Sequence, residues 1–197
     1  MSTTNLFVEL LVIGVGASTW IGFALASAVG VPNADADLLK SYLFLFLGLS
    51  IIYVLGVISD RFADFVFDRL FSTPIRTKHF TDKRSYQDAR RLIFRTSERL
   101  ADQHEYGRIR IRVARGWAVN AALMAMTWPI LVSTQFADQS WSQPALVSGT
   151  ISFIGLAIAC WWTWSQLCET EYLKIKEHAE FLRAEASSMA SGARRAA

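Results

Sequence analysis

Four arginines in eight residues (Arg108, Arg110, Arg112 and Arg115) and three aspartates at four-residue spacing (Asp60, Asp64 and Asp68) are the groups in this chain whose types and spacing point to chemistry. A guanidinium is a permanently charged planar fork that fits carboxylate or phosphate oxygens in pairs. The arginine run therefore reads as a ligand or lipid site. Either it anchors the chain to anionic headgroups at the inner leaflet, or it binds a small anionic ligand where several forks converge. Carboxylates at i, i+4 and i+8 share one face of a helix. They form an acidic stripe within reach of Arg61 and Arg69.

Gly56-x-x-x-Asp60-x-x-x-Asp64 resembles the second half of the signature of CDP-alcohol phosphotransferases, integral membrane enzymes of phospholipid synthesis. The resemblance implies a membrane-embedded lipid-modifying enzyme whose Asp60 and Asp64 hold divalent metal against paired phosphates. The first half of that signature, an Asp-x-x-Asp-Gly-x-x-Ala-Arg run, has no counterpart upstream. The chain also has too few spans for that family's fold. The activity is not carried over, and local pairing of the stripe with Arg61 and Arg69 is the expectation.

Other reactive groups are sparse. His79, His104 and His178 stand alone without metal-ligand spacing and are expected at a solvated surface. Cys160 and Cys168 suit neither a disulfide framework nor a zinc site, and buried inert thiols are expected. No glycine-rich phosphate loop, nucleophile elbow or zinc motif occurs. The reading is therefore non-enzymatic, with no metal and no cofactor. A net charge of +3 is too small to make nucleic acid the primary partner.

The elements that must carry these residues follow from how the charges are segregated. Apolar blocks at 6–29, 38–58, 117–135 and 145–164 are almost free of charge, while 14 of the 20 Lys and Arg residues fall between Ser59 and Gly116. At about 1.5 Å per residue each block crosses the ~30 Å hydrocarbon layer as a helix. Unbroken runs of this length are helices because lipid offers the backbone no other partner. The fold class is all-α: an integral membrane four-helix bundle with a cytoplasmic basic helical domain at 59–116. The first hairpin occupies 1–58, the second 117–164, and a cytoplasmic helix and tail follow at 165–197.

Lys and Arg concentrate on the cytoplasmic side of membrane proteins. The connection 136–144 has no basic residue, and the connection between the first two blocks carries Asp35 and Asp37 with Lys40 at its edge. Both termini are thus expected inside, in the cell membrane and most simply a bacterial inner membrane. Cleavage of the first span as a signal peptide is not expected, because no basic residue precedes it and Glu9 intrudes early.

Within the spans, Gly14, Ser18, Gly22 and Ala26 put a small residue at every fourth position, with a weaker series at Ser152, Gly155 and Ala159. Such stripes let helix backbones approach closely in lipid. They serve packing inside the bundle or an interface between copies in a homo-oligomer. Glu9 and Asn120 are expected near the boundary, within reach of interfacial water. Pro129 is a candidate kink.

In the polar segment, the second span is expected to continue as a helix to Phe71 and to stop at Pro74. A single amphipathic helix should then run from about Thr81 to Gln103. Its apolar stripe is Tyr86, Ala89, Ile93, Thr96 and Leu100, and pairs Arg84–Asp88, Asp88–Arg91 and Arg95–Glu98 lie along the opposite side. The arginine run leads directly into the third span, as helix or as a short strand. Tyr172, Ile175, Ala179 and Leu182 have spacing for a short helical pairing.

Two functions fit these features. One is an oligomeric channel or permeability-controlling protein whose cytoplasmic helices sense a ligand or partner, a layout shared with small four-span effectors and sensors of bacterial defence systems. The other is a membrane anchor or scaffold that recruits a cytosolic protein partner through its basic surface.

Overall fold

A computed structural model of the protein describes residues 3–30 and 42–196. The connection between the first two apolar blocks, with Asp35, Asp37 and Lys40, and the start of the second block lie outside the described residues. The described chain is all helical: α1 (Thr3–Val29), α2 (Tyr42–Leu70), α3 (Ser72–Thr77), α4 (Lys83–Thr96), α5 (Glu98–Gln135) and α6 (Ser142–Ala196). Four of these, α1, α2, α5 and α6, contain stretches long and apolar enough to cross a membrane. The arginine run lies inside α5 and is helix throughout.

The chain divides into two compact units. Among the described residues, one comprises 3–30, 42–66 and 112–164, and the other 67–111 and 165–196. In the first, apolar unit most of the buried apolar residues are small or aliphatic, among them Ile13, Ala17, Ala63, Ala118, Ala121 and Val132. Many of its large side chains point outward: Leu45, Phe46, Leu47, Ile51, Val54 and Ile58 on α2 are all exposed. On α6 no residue from 145 to 163 is buried. A water-soluble protein does not present contiguous apolar surface on this scale, whereas hydrocarbon solvates it.

Small residues set the closest approach in this unit. A Cβ on Gly14 would overlap the Ile52 carbonyl oxygen, and one on Gly56 would overlap that of Leu10, so α1 and α2 cross with their backbones in contact. Gly116 lies against Ile13 and Gly149 against the Trp128 indole, whose Nε1 donates to the Ala145 carbonyl at 3.0 Å. Gly22, Gly48 and Gly155 have no neighbour within 4 Å. Of the two glycines in the stripe Gly14, Ser18, Gly22 and Ala26, Gly14 makes a backbone-close crossing and Gly22 does not, and Gly155 between Ser152 and Ala159 faces open space.

The second, polar unit has its own core. Phe80, Ala89 and Ile93 pack against Ile175, Ala179 and Leu182, with Tyr86, Leu92, Leu100 and Tyr172 at the edge. Phe80, Tyr86 and Tyr172 meet edge to face, with ring centroids 5.4–6.3 Å apart. The partner of the amphipathic stripe is thus the C-terminal part of α6. Asp82 caps α4 by accepting from the Ser85 N–H at 2.6 Å, while the Ser85 hydroxyl closes a capping box. These backbone bonds hold the Asp82 carboxyl below its ordinary range.

Three local expectations change. The helix after Thr81 is not continuous to Gln103: it ends at Thr96, Ser97 is extended, and α5 starts at Glu98. Pro74 does not stop a helix; it sits in the first turn of α3, where a missing N–H costs nothing. The candidate kink Pro129 lies inside α5, which continues on both sides of it. The C-terminal helix continues to Ala196, where a helix followed by a tail was expected within 165–197.

Candidate functional site

Two buried polar clusters stand out, one in each unit. In the apolar unit α1, α2 and α5 each contribute to a group of five charged side chains. Arg115 of α5 donates through Nη2 to Asp60 Oδ1 at 2.9 Å and through Nη1 to Asp64 Oδ1. Asp60 and Asp64 lie one turn apart on α2, so a single guanidinium spans both. One turn before Arg115, Arg112 approaches Glu9 of α1 at 3.6 Å. Glu9 is only 3% exposed, and neither of its carboxylate oxygens has a hydrogen-bond partner. Three carboxylates thus face two guanidiniums, and the carboxylate without a hydrogen bond is Glu9.

Deeper in the same unit Asn120 is 0% exposed and ties three helices together. Its Nδ2 donates to the Ile13 carbonyl of α1 at 2.9 Å. Its Oδ1 accepts from Ser59 Oγ of α2 at 3.0 Å and from Trp20 Nε1 of α1 at 3.3 Å. Gly16 supplies the room, since a Cβ there would meet Asn120 Nδ2 at 2.7 Å. Beside this hub an apolar pocket of about 320 Å³ opens between Ala17, Trp20, Leu55, Ile58 and Phe62.

In the polar unit His104 of α5 is 2% exposed. Its Nδ1 bonds Glu171 Oε1 of α6, and its Nε2 lies 3.1 Å from His178 Nδ1. A carboxylate only accepts, so the His104 Nδ1 carries a proton toward Glu171. Gly107 leaves space for the carboxylate: a Cβ there would sit 2.5 Å from Glu171 Oε2. Burial, and next the neighbouring His104, push the His178 imidazole below its ordinary pKa; Lys174 acts the same way, and Glu177 and Glu171 oppose them. His178 lies beyond residue 164, outside the apolar part of α6.

These contacts redistribute the residues singled out in the sequence. Arg108, Arg110, Arg112 and Arg115 are divided between the two units. Arg112 and Arg115 belong to the apolar unit and face carboxylates, while Arg108 and exposed Arg110 belong to the polar unit. The acidic stripe is divided likewise: Arg115, not Arg61 or Arg69, binds Asp60 and Asp64, and Asp68 lies in the polar unit. Asp60 and Asp64 are therefore held by a guanidinium. Among the described residues no group of three or more His, Cys, Asp or Glu side chains is placed to hold a metal ion.

Glu9 and Asn120 are buried rather than solvated, and His104 and His178 are partnered rather than isolated. The sequence held a signal for the first pair, since a carboxylate and an amide within apolar helices need partners there. For the histidines, 74 positions apart, it held none. No family model, curated protein or solved structure matches the chain.

Proposed function

We propose that this is a non-enzymatic multi-pass membrane protein with both termini and the polar unit in the cytoplasm, whose membrane helices are held in one arrangement by a releasable ion-pair clamp. In this reading the polar unit senses a ligand or partner, and release of the clamp changes membrane permeability in an oligomer. The observation that carries it is the Arg115–Asp60–Asp64 contact with Glu9 and Arg112 beside it. Buried ion pairs are inefficient stabilisers, because desolvation consumes most of their attraction. Apolar side chains of similar volume would hold α1, α2 and α5 together at least as well. What charges offer in addition is a fixed register that can be lost in one step, which suits a two-state element.

Two further observations support the reading. The segment 145–163 of α6 has no buried residue and leaves Gly155 open, so it has surface for lipid or for a second copy. The pocket between α1, α2 and α5 is apolar, so a conducting path would form between copies and not through one chain. The distribution of Lys and Arg supports the orientation.

The test is leakage of ions and a small dye from proteoliposomes, comparing the wild type with Arg115→Met. Greater leakage from the variant supports a clamp on permeability. Equally tight vesicles from both proteins, with the variant folded and inserted, would reject it.

A further inference from the structure

Helix α4 has five basic residues, Lys83, Arg84, Arg90, Arg91 and Arg95, and one acidic residue, Asp88. Its two sides differ sharply. Ala89 and Ile93 are buried against Ile175, Ala179 and Leu182 of α6. The opposite side presents Arg84, Gln87, Arg91, Phe94 and Arg95, all exposed. Sequence spacing offers these arginines the partners Asp88 and Glu98 on their own side, yet none of those pairs reaches ion-pair distance among the described residues. Arg84 lies beside the capping Asp82, which accepts from its backbone N–H and feels its charge.

The remaining guanidinium, Arg90, lies over the Phe94 ring at 5.0 Å from its centroid. This holds an aromatic ring, 41% exposed, beside the arginines. Gln87, Arg90, Arg91 and Phe94 together border a shallow depression of about 350 Å³.

We infer that this outer face of α4 is a docking surface for anionic phospholipid headgroups of the bilayer that the apolar helices cross. Guanidinium forks match phosphate oxygens, and an aromatic side chain on the rim of a basic face is the composition of helices that lie at a membrane interface. A soluble acidic protein or a nucleic acid would also meet the charge. The membrane is favoured because the same chain carries four helices fit to cross it, and α4 begins only 13 residues after α2 ends, which keeps headgroups at high effective concentration. The inference rests on the membrane reading of those helices and is independent of any effect on permeability.

The experiment is hydrogen exchange on the full chain in nanodiscs of phosphatidylcholine alone, or with phosphatidylglycerol added. The expected result is slower exchange of residues 83–96 with phosphatidylglycerol, reversed by raised salt. A combined Arg84→Gln, Arg91→Gln, Arg95→Gln variant should lose this protection, each neutralised arginine removing roughly a factor of five in partition onto the anionic surface. Unchanged exchange at 172–182 reports that the variant remains folded. If the variant does not fold, the salt titration of the wild type decides.

Equal exchange of α4 in both nanodiscs would overturn the proposal. So would protection by inorganic phosphate in phosphatidylcholine discs, which would indicate a soluble anion. Protection that requires an added acidic protein or nucleic acid would overturn it too. Leakage measurements enter none of these outcomes, so this inference and the permeability reading fail separately.

Discussion

Arg115 Nη2 donates to Asp60 Oδ1 at 2.9 Å between side chains that are 11% and 5% exposed. The same guanidinium carries Asp64, so its loss strands two carboxylates, one of them buried. Leaving an uncompensated charge in a low-dielectric site costs more than the intact pair contributes. Arg115→Met should therefore lower unfolding free energy by about 3–5 kcal/mol, seen as a lower Tm in detergent. Adding Asp60→Asn and Asp64→Asn should recover most of that loss. A single variant melting with the wild type would show that the clamp does not form in solution.

Glu9 presents the opposite balance. Both of its oxygens lack hydrogen bonds, and its nearest cation, Arg112, is 3.6 Å away and partly exposed. Its charge is poorly compensated, while Arg112 can turn to water if released. Glu9→Gln should thus be neutral or stabilising by up to about 1 kcal/mol, although it removes an ion pair. Differential scanning calorimetry in detergent would check the sign. A large loss would mean that Glu9 has a partner that this geometry does not contain.

Glycine substitutions should separate packing inside one chain from packing between chains. Gly14→Ala and Gly56→Ala place a methyl group against a carbonyl oxygen of the facing helix, so α1 and α2 must part, at about 1–3 kcal/mol. Gly22→Ala meets open space and should gain up to about 1 kcal/mol from helix propensity. Gly155→Ile is equally unopposed in one chain. If a second copy packs there, that variant should lower the oligomeric mass by light scattering without lowering Tm. An unchanged mass would remove this face from the oligomer interface.

The His178 imidazole is held below its ordinary pKa by burial and by His104. Above about pH 6.5 it is neutral in both folded and unfolded chains, so stability there is at its full value. As pH falls through 6.5 the unfolded chain takes up the proton first. Stability of the polar unit then declines until the folded-state pKa is passed. Hydrogen exchange of residues 165–182 should accelerate over this range in the wild type and much less in His178→Gln. Identical pH profiles would exclude His178 as the group responsible.

Legibility differed from residue to residue for physical reasons. The four apolar stretches could be read because a bilayer imposes length and the absence of charge on each span separately. The stripe Ala89–Ile93 could be read because helical period marks a buried side without identifying what covers it; α6 supplies the cover. The break at Ser97 was not legible, since neither glycine nor proline marks it. Asp60 and Arg61 are neighbours in sequence, yet Arg115 is the partner, because adjacent helical residues diverge while α5 brings a guanidinium across 55 positions.

The sequence by itself determined that this chain is helical, that four stretches suit a bilayer, and that positive charge lies in the segment between the second and third. Those properties depend on local composition and period. The tertiary structure alone decided how the charges are matched. It brings Arg112 and Arg115 to carboxylates, leaves Arg84, Arg91 and Arg95 exposed on α4, and unites His104, Glu171 and His178. Electrostatic pairing depends on distances of a few ångströms between residues far apart in the chain, and only the packing of helices sets those distances.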